Sequence, residues 1–109
     1  MKVLFDNGVP KRIANCLIGH DIAYARQIGW HLLKNGELIA QSEEAGYNVL
    51  LTTDKNIRYQ QNLAARKIAI VILGNQQWPD VHPHLDRIAA AVNAAKPGSL
   101  TEVEIPHSL

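Results

Sequence analysis

The chain has 109 residues, of which 47% are hydrophobic and 19% charged; this predicts one compact domain over residues 1–109 and excludes an extended disordered chain. Its formal net charge of +1 lacks the basic excess of non-specific nucleic-acid binders, so any nucleic-acid affinity has to come from local patches. No apolar run approaches the roughly 20 residues that span a bilayer, and the first residues follow a strand pattern rather than a signal sequence, so we expect a cytoplasmic protein.

The first part of the chain alternates between strand and helix patterns. The apolar run Lys2–Phe5 predicts a strand that ends at Asp6, and Pro10 suits the first turn of a helix that closes at Gly19. The predicted apolar face of that helix consists of Ile13, Ala14, Leu17 and Ile18. Asp21–Ala25 predicts a second strand, and a strand, helix, strand unit of this kind makes the two strands parallel.

A connector and a second helix precede the third strand. Residues Arg26–Leu33 show no clean periodicity, which predicts an irregular connection across the carboxyl edge of the sheet. Asn35 as N-cap and Gly46 as terminator delimit the helix. The run Val49–Thr53 is apolar or β-branched throughout, so it predicts a buried strand that ends at Asp54.

The remaining elements complete an α/β pattern. Asn56–Arg66 is polar and predicts a helix, whereas Ile68–Leu73 is apolar on both faces and predicts a strand in the centre of the sheet. A long helix is predicted from Asp80 to a stop at Pro97, followed by an edge strand over the alternating residues Thr101–Ile105. We therefore predict a three-layer α/β/α sandwich with a mainly parallel central sheet.

Two acidic side chains stand where buried strands end. Asp6 and Asp54 follow two strands predicted to be parallel, and ligands of such sheets bind at the carboxyl edge. Two carboxylates in one crevice are costly unless a cation or a proton holds them. Carboxylate oxygens without sulfur or imidazole favour Mg²⁺ or Mn²⁺, which polarise phosphoryl oxygens and activate water. Phosphodiester hydrolysis is the reaction class this predicts.

Other chemistries have weaker signals. His82 and His84 flank a proline and lack the accompanying cysteines and spacing of a structural zinc site. Cys16 lies among apolar residues, which predicts a structural thiol rather than a nucleophile. Glu37 lies in a first helical turn, where a glutamate commonly serves only to favour the helix dipole. The nucleophile elbow, the Walker loop and the dinucleotide fingerprint are absent from the sequence.

Four segments together resemble the PIN-like family of small bacterial proteins, which is related to the PIN-domain ribonuclease toxins. They cover nearly the whole chain up to about Leu73 and read LFDNGVPKRIANCL, GHDIAYARQIGW, NGELIAQSEEAGYNVLLTTDKN and IAIVIL. In that family an aspartate ends the first strand, a glutamate lies early in the helix after the connector, and an aspartate follows the next strand. Asp6, Glu37 and Asp54 stand at these places. The resemblance implies that all three are catalytic ligands of Mg²⁺ or Mn²⁺ in a ribonuclease.

The same hypothesis assigns roles around these acids. Asn7 and Asn56 are expected to tune the ligand sphere, and Arg26, Lys55 and Arg58 to meet the RNA backbone. The resemblance further implies a toxin that pairs with an antitoxin protein, and a homodimer.

The sequence departs from the family pattern at both acidic motifs. Relatives often read Asp-Glu-Asn after the first strand and Asp-Lys-Asp after the later one, whereas this chain reads DNG from Asp6 and DKN from Asp54. Asn56 thus replaces an acid with an amide, which can coordinate through oxygen but brings no charge. We expect one Mg²⁺ at most in the free protein, with a second recruited by substrate phosphate.

Two alternatives stay open on the sequence alone. A signalling receiver domain also has acids after its first strand and an aspartate after its third, so Asp54 would be phosphorylated. Against it, the chain has a single Asp6 after the first strand, and Lys96 precedes the last strand instead of following it. The other alternative is a PIN-like binding module without catalytic activity, which Asn56 favours.

Overall fold

The computed structural model describes residues 1–60 and 62–107. It contains a five-stranded sheet in the order β2-β1-β3-β4-β5, and every neighbouring pair of strands is parallel. The strands are β1 (Lys2–Phe5), β2 (Asp21–Tyr24), β3 (Val49–Thr52), β4 (Ala69–Leu73) and β5 (Leu100–Val103). The predicted α/β class and parallel sheet are confirmed. Within the described residues, no helix has both the length and the apolar character needed to cross a bilayer.

All five strands form where the apolar runs predict them, with small differences at their ends. β4 lies inside the sheet between β3 and β5, although the middle position belongs to β3. β5 is an edge strand, as predicted, but it runs over Leu100–Val103 rather than Thr101–Ile105. The strands pair closely in register: Phe5 is opposite Leu51, and Leu51 is opposite Val71.

Both faces of the sheet carry apolar clusters, because alternate side chains of β1, β3 and β4 enter two separate clusters. Val3 and Leu51 point into the cluster that includes Ile88 and Val92 of the C-terminal helix. Leu4 and Leu50 point into a second cluster, whose other buried members are Ala25, Leu38, Ile39, Ile57, Ile68, Ile70 and Ile72. This double burial explains why β3 and β4 are apolar throughout.

The helices are α1 (Asn35–Glu44), α2 (Trp78–Val81) and α3 (Leu85–Asn93). In α1 the N-cap is Lys34 rather than the predicted Asn35, and its side chain makes no capping hydrogen bond. Gly46 follows α1 with φ of 87°, a left-handed conformation that glycine adopts without steric cost. The predicted terminator of this helix is therefore confirmed.

Two predicted helices are replaced by short 3₁₀ turns. The segment after Pro10 is a 3₁₀ helix over Lys11–Cys16, and Ile18, which the prediction placed on the buried face, is 90% exposed. The polar segment Asn56–Arg66 contains 3₁₀ helices at Lys55–Tyr59 and Leu63–Ala65. Asn62 between them has φ of 62°, which an α-helix cannot accommodate. Gln61, which the helix prediction included, lies outside the described residues.

The predicted long helix starting at Asp80 is also wrong in detail. The helical region begins at Trp78 with α2, passes through a 3₁₀ helix at His82–His84 and continues as α3. Pro83 explains the interruption, because proline has no N–H to donate and its ring clashes with the preceding turn. The helical region ends at Asn93, before the predicted stop.

Candidate functional site

A cleft of about 300 Å³ opens at the carboxyl ends of β1 and β3. Asp6 and Asp54, the acids predicted from the strand ends, both line it. β1 connects to β2 on one side and β3 lies on the other, so the strand order changes direction between β1 and β3. Crevices at such switch points are the usual ligand sites of open parallel sheets.

The hydroxyl of Thr52 connects the side chain of Asp6 to the backbone of Asp54. Its hydroxyl donates a hydrogen bond to Oδ2 of Asp6 at 2.8 Å and accepts one from the backbone N–H of Asp54 at 3.1 Å. The Thr52 residue is fully buried. The backbone N–H of Asp6 also donates to the carbonyl of Leu51 at 2.9 Å, which extends the β1–β3 pairing by one residue. The acids are therefore held by the sheet itself.

The described residues that bind these carboxylates do so through neutral groups. Oδ1 of Asp6 accepts from the backbone N–H of Asn7 at 2.8 Å, and Oδ1 of Asp54 accepts from the backbone N–H of Asn56 at 2.9 Å. Lys34 lines the same cleft, but within the described residues neither carboxylate forms an ion pair with it or with any other cation. Two carboxylates that share one cleft favour binding of a cation from solution.

The donor set fits a hard cation. Besides the two carboxylates, the polar side chains on the cleft wall are those of Asn7, Lys34 and Asn35. Carboxylate and amide oxygens suit Mg²⁺ or Mn²⁺, and no sulfur or imidazole ligand is present on this wall. Across residues 1–60 and 62–107, no group of three or more His, Cys, Asp or Glu side chains is arranged to hold a metal ion. The structure brings two acidic side chains together on this wall, those of Asp6 and Asp54.

Glu37 is the predicted site residue that the structure does not bring to Asp6 and Asp54. Its side chain is exposed, does not line the cleft, and forms no hydrogen bond or ion pair with the described residues. It does belong to the first turn of α1, and Lys34 and Asn35 at the start of that helix are part of the cleft wall.

The two asparagines predicted to support the site contribute in different ways. Asn7 lines the cleft, and its Nδ2 donates to the carbonyl of His31 at 2.8 Å, which ties the connector to the end of β1. Asn56 is exposed and its side chain lies off the cleft wall; its backbone N–H donates to the carboxylate of Asp54, which caps the 3₁₀ helix at Lys55–Tyr59. The amide that replaces the family's second acid is therefore not part of the cleft.

The residues predicted to contact RNA differ in whether they already have a partner in the protein. Arg26 and Lys55 are exposed and have no ion pair among the described residues. Arg58 is engaged: one terminal nitrogen lies 2.8 Å from a carboxylate oxygen of Glu102, and its Nε donates to the carbonyl of Lys55. Lys34, a cation on the cleft wall, was missed from the sequence because a lysine before a helix carries no specific signal.

Thr52 was missed as well, although the Thr-Thr-Asp run contains it. A threonine within an apolar strand looks like an ordinary β-branched core residue. The pairing of β1 with β3 is needed to bring its hydroxyl to the carboxylate of Asp6.

Cys16 is only partly buried and donates from Sγ to the carbonyl of Ile13 at 3.0 Å. Burial raises the pKa of its thiol above the ordinary value, and the neighbouring charge of Asp86 acts in the same direction. The thiolate is thereby disfavoured, as expected for a structural cysteine.

The structure weighs against a receiver domain in one respect. The strand order is shared with receiver-type doubly wound folds. However, the described residues that follow β5, which end at His107, include no lysine, and Lys96 lies before that strand. The cation that a receiver places beside its phosphorylated aspartate is missing from this part of the chain.

Comparisons of the chain with protein-family profiles, curated proteins and solved structures find no match. Its function is therefore inferred from the geometry of the cleft.

Proposed function

We propose that the chain is a Mg²⁺- or Mn²⁺-dependent ribonuclease with a PIN-like, three-layer α/β/α fold. The observation that supports this is the pair Asp6 and Asp54 at the β1–β3 switch point, where Thr52 links the carboxylate of Asp6 to the backbone of Asp54 and neither acid has an ion-pair partner among the described residues. The α/β/α arrangement is supported by the two apolar clusters on opposite faces of the sheet.

In this proposal Asp6 and Asp54 hold the metal ion, and Glu37 completes the acidic set from the first turn of α1. The side chain of Glu37 has no competing partner among the described residues, so no existing bond has to break for it to contribute. Asn7 and Asn56 tune the ligand sphere, the first through its side chain and the second through its backbone bond to Asp54. A bound Mg²⁺ supplies charge stabilisation of the phosphoryl oxygens and lowers the pKa of water.

Hydrolysis then needs an RNA phosphodiester placed over the acids. The oxygen of a water forms a bond to phosphorus, the bond from phosphorus to the leaving ribose oxygen breaks, and that oxygen takes up a proton. The two carboxylates of the cleft repel a phosphodiester, so the RNA needs cations beside them. Arg26, Lys34 and Lys55 are free of carboxylate partners in the described structure, so they are available to attract the RNA backbone.

The biological setting is part of the same proposal. By analogy with the PIN-like family, the chain is the toxin of a toxin–antitoxin pair, acts on RNA in the cytoplasm and forms a homodimer. The mass of the purified protein in solution tests the dimer, and co-purification of a second small protein from the native cells tests the pairing.

RNA cleavage by charge-neutral variants tests the activity. We expect Asp6→Asn and Asp54→Asn each to lower the cleavage rate by on the order of 10²-fold or more, the scale seen when a group that stabilises transition-state charge is removed. Asp21→Asn is the matched control, because Asp21 is an exposed aspartate at the amino end of β2, whereas the cleft lies at the carboxyl ends of the strands. Full activity in either cleft variant, with its melting temperature unchanged, would contradict the proposal.

A further inference from the structure

A small recess adjoins the cleft on its β2 side. We call it the Tyr24 recess; its polar walls are Lys11, Tyr24 and Arg26, together with Asp6 and Asn7, which it shares with the cleft. Its volume is about 40 Å³. A group bound in the Tyr24 recess would therefore lie beside Asp6, one of the two acids proposed to hold the metal ion.

The aromatic ring of the recess is held in place from two sides. The ring of Phe5 meets that of Tyr24 edge-on, with 5.5 Å between centroids and an interplanar angle of 87°. Nζ of Lys11 lies 5.5 Å from the centroid of the Tyr24 ring, within the range of a cation–π contact. The phenol hydroxyl of Tyr24 forms no hydrogen bond with the described residues, so it is free to donate to a ligand.

The backbone that presents Arg26 is fixed by a tight turn. The N–H groups of Gln27 and Ile28 both donate to the carbonyl of Tyr24, and that of Trp30 donates to the carbonyl of Ala25 at 2.8 Å. The guanidinium itself has no ion pair among the described residues. The turn thus fixes the backbone of Arg26, a lining residue of the recess whose side chain forms no ion pair in the described structure.

The charge balance of the recess favours an anion. Lys11 and Arg26 contribute two positive charges without carboxylate partners in the described structure. The one acid among the lining residues is Asp6, so two positive charges stand against one negative charge. Lys11, Arg26 and Tyr24 thus bring two cationic side chains and a phenol to the same small recess.

We propose that the Tyr24 recess binds the phosphate group of the RNA backbone adjacent to the scissile phosphodiester. This inference rests on the proposed ribonuclease function, and it adds Lys11 and Tyr24 to the residues that position the substrate. A single water needs roughly 10–15 Å³ of such volume, so about 40 Å³ admits a phosphate group but not a nucleobase. The recess binds the RNA backbone and makes no distinction between bases.

Binding of inorganic phosphate in the absence of metal tests the recess independently of catalysis. We expect the double variant Lys11→Gln, Arg26→Gln to bind phosphate at least about tenfold more weakly than the unmodified protein, since each charge-assisted hydrogen bond is worth roughly that factor or more. Tyr24→Phe keeps the ring and should weaken binding less. The matched control is Arg87→Gln, Lys96→Gln, which removes the same two charges from exposed positions elsewhere.

Chemical-shift mapping or calorimetry measures this directly. Equal phosphate affinity in the double variant and the unmodified protein would overturn the inference, as would no phosphate binding by the folded unmodified protein.

A neutral backbone substitution then tests the position of the recess relative to the cleavage site. In an oligoribonucleotide, replacing the phosphodiester next to the cleaved bond by a methylphosphonate should raise KM about tenfold for the unmodified protein and leave it unchanged for the double variant. The same KM increase in both proteins would overturn the assignment. If no RNA is cleaved at all, the proposed function fails, while the phosphate titration still decides whether the recess binds anions.

Discussion

Two regions with acidic side chains differ in how the charge is balanced. At the β1–β3 cleft, Asp6 and Asp54 accept hydrogen bonds from neutral donors and form no ion pair with the described residues. Elsewhere, two acids have a cation partner: Glu102 pairs with Arg58 at 2.8 Å, and Glu43 lies 3.6 Å from Arg66. These two contribute to the fold, whereas the cleft acids are available to a bound cation.

The geometry of the two regions supports that distinction. Glu43 joins α1 to the start of β4, because one of its oxygens accepts from the backbone N–H of Lys67 at 2.6 Å. A hydrogen bond of this kind stabilises the folded state without any ligand. At the cleft, Thr52 instead links the carboxylate of Asp6 to the backbone N–H of Asp54, and no cation pairs with either acid among the described residues.

Removing the link between the cleft acids should give the largest effect on stability. Thr52→Val keeps the shape but leaves Oδ2 of Asp6 and the N–H of Asp54 without their hydrogen bonds, so the free energy of unfolding should fall by about 1–3 kcal/mol. Thr53→Val is the matched control, because that hydroxyl bonds only to Gln76, at 3.3 Å. Urea unfolding measures both variants, and equal losses would remove the special role of Thr52.

A pH series should show that Glu43 serves the fold. Hydrogen bonding to the backbone of Lys67, helped by Arg66, holds the pKa of Glu43 below its ordinary value of 4.5. A carboxyl with a depressed folded-state pKa contributes stability above 4.5, and the contribution disappears as pH falls through the folded-state pKa. Glu43→Gln should thus lower the melting temperature at pH 7 by a few degrees, and the difference should vanish in acid.

The contrasting variant in that series is Asp54→Asn. Because it relieves repulsion between two cleft carboxylates, it should leave the metal-free melting temperature at pH 7 unchanged or raise it. If Glu43→Gln and Asp54→Asn destabilise the protein equally, the division into two regions is wrong.

The smallest expected effect concerns the two cations beside Asp54. Lys55 is unpaired, whereas Arg58 already pairs with Glu102. If Lys55 meets one RNA phosphate, Lys55→Gln should reduce the slope of log affinity against log salt by about 0.7, the value per phosphate for single strands. Arg58→Gln should change the slope little. Fluorescence anisotropy at several salt concentrations measures this, and equal changes would contradict the distinction.

The sheet could be predicted because its signal is local. Runs such as Val49–Thr52 and Ala69–Leu73 are apolar throughout, which is what burial on both faces demands. The placement of Asp6 and Asp54 at one edge followed from the parallel strands and is confirmed by the cleft they share.

The helical segments were harder to predict, because packing and backbone strain decide them. The residues after Pro10 have an apolar pattern, but they form a single 3₁₀ segment that leaves Ile18 exposed. Asparagine adopts a left-handed backbone more readily than most residues, but the sequence around Asn62 does not show that it does so here. The partners of Thr52, Arg58 and Tyr24 likewise come from distant parts of the chain, so sequence spacing could not reveal them.

Calorimetric titration with Mn²⁺ tests the central claim most directly, because it measures cation binding without requiring the correct RNA. We predict one binding event in the unmodified protein and an affinity at least about tenfold lower in Asp6→Asn and in Asp54→Asn, with Asp21→Asn unchanged. An absence of Mn²⁺ binding in the folded protein, or equal affinity in all four proteins, would contradict the claim that this cleft is a metal centre.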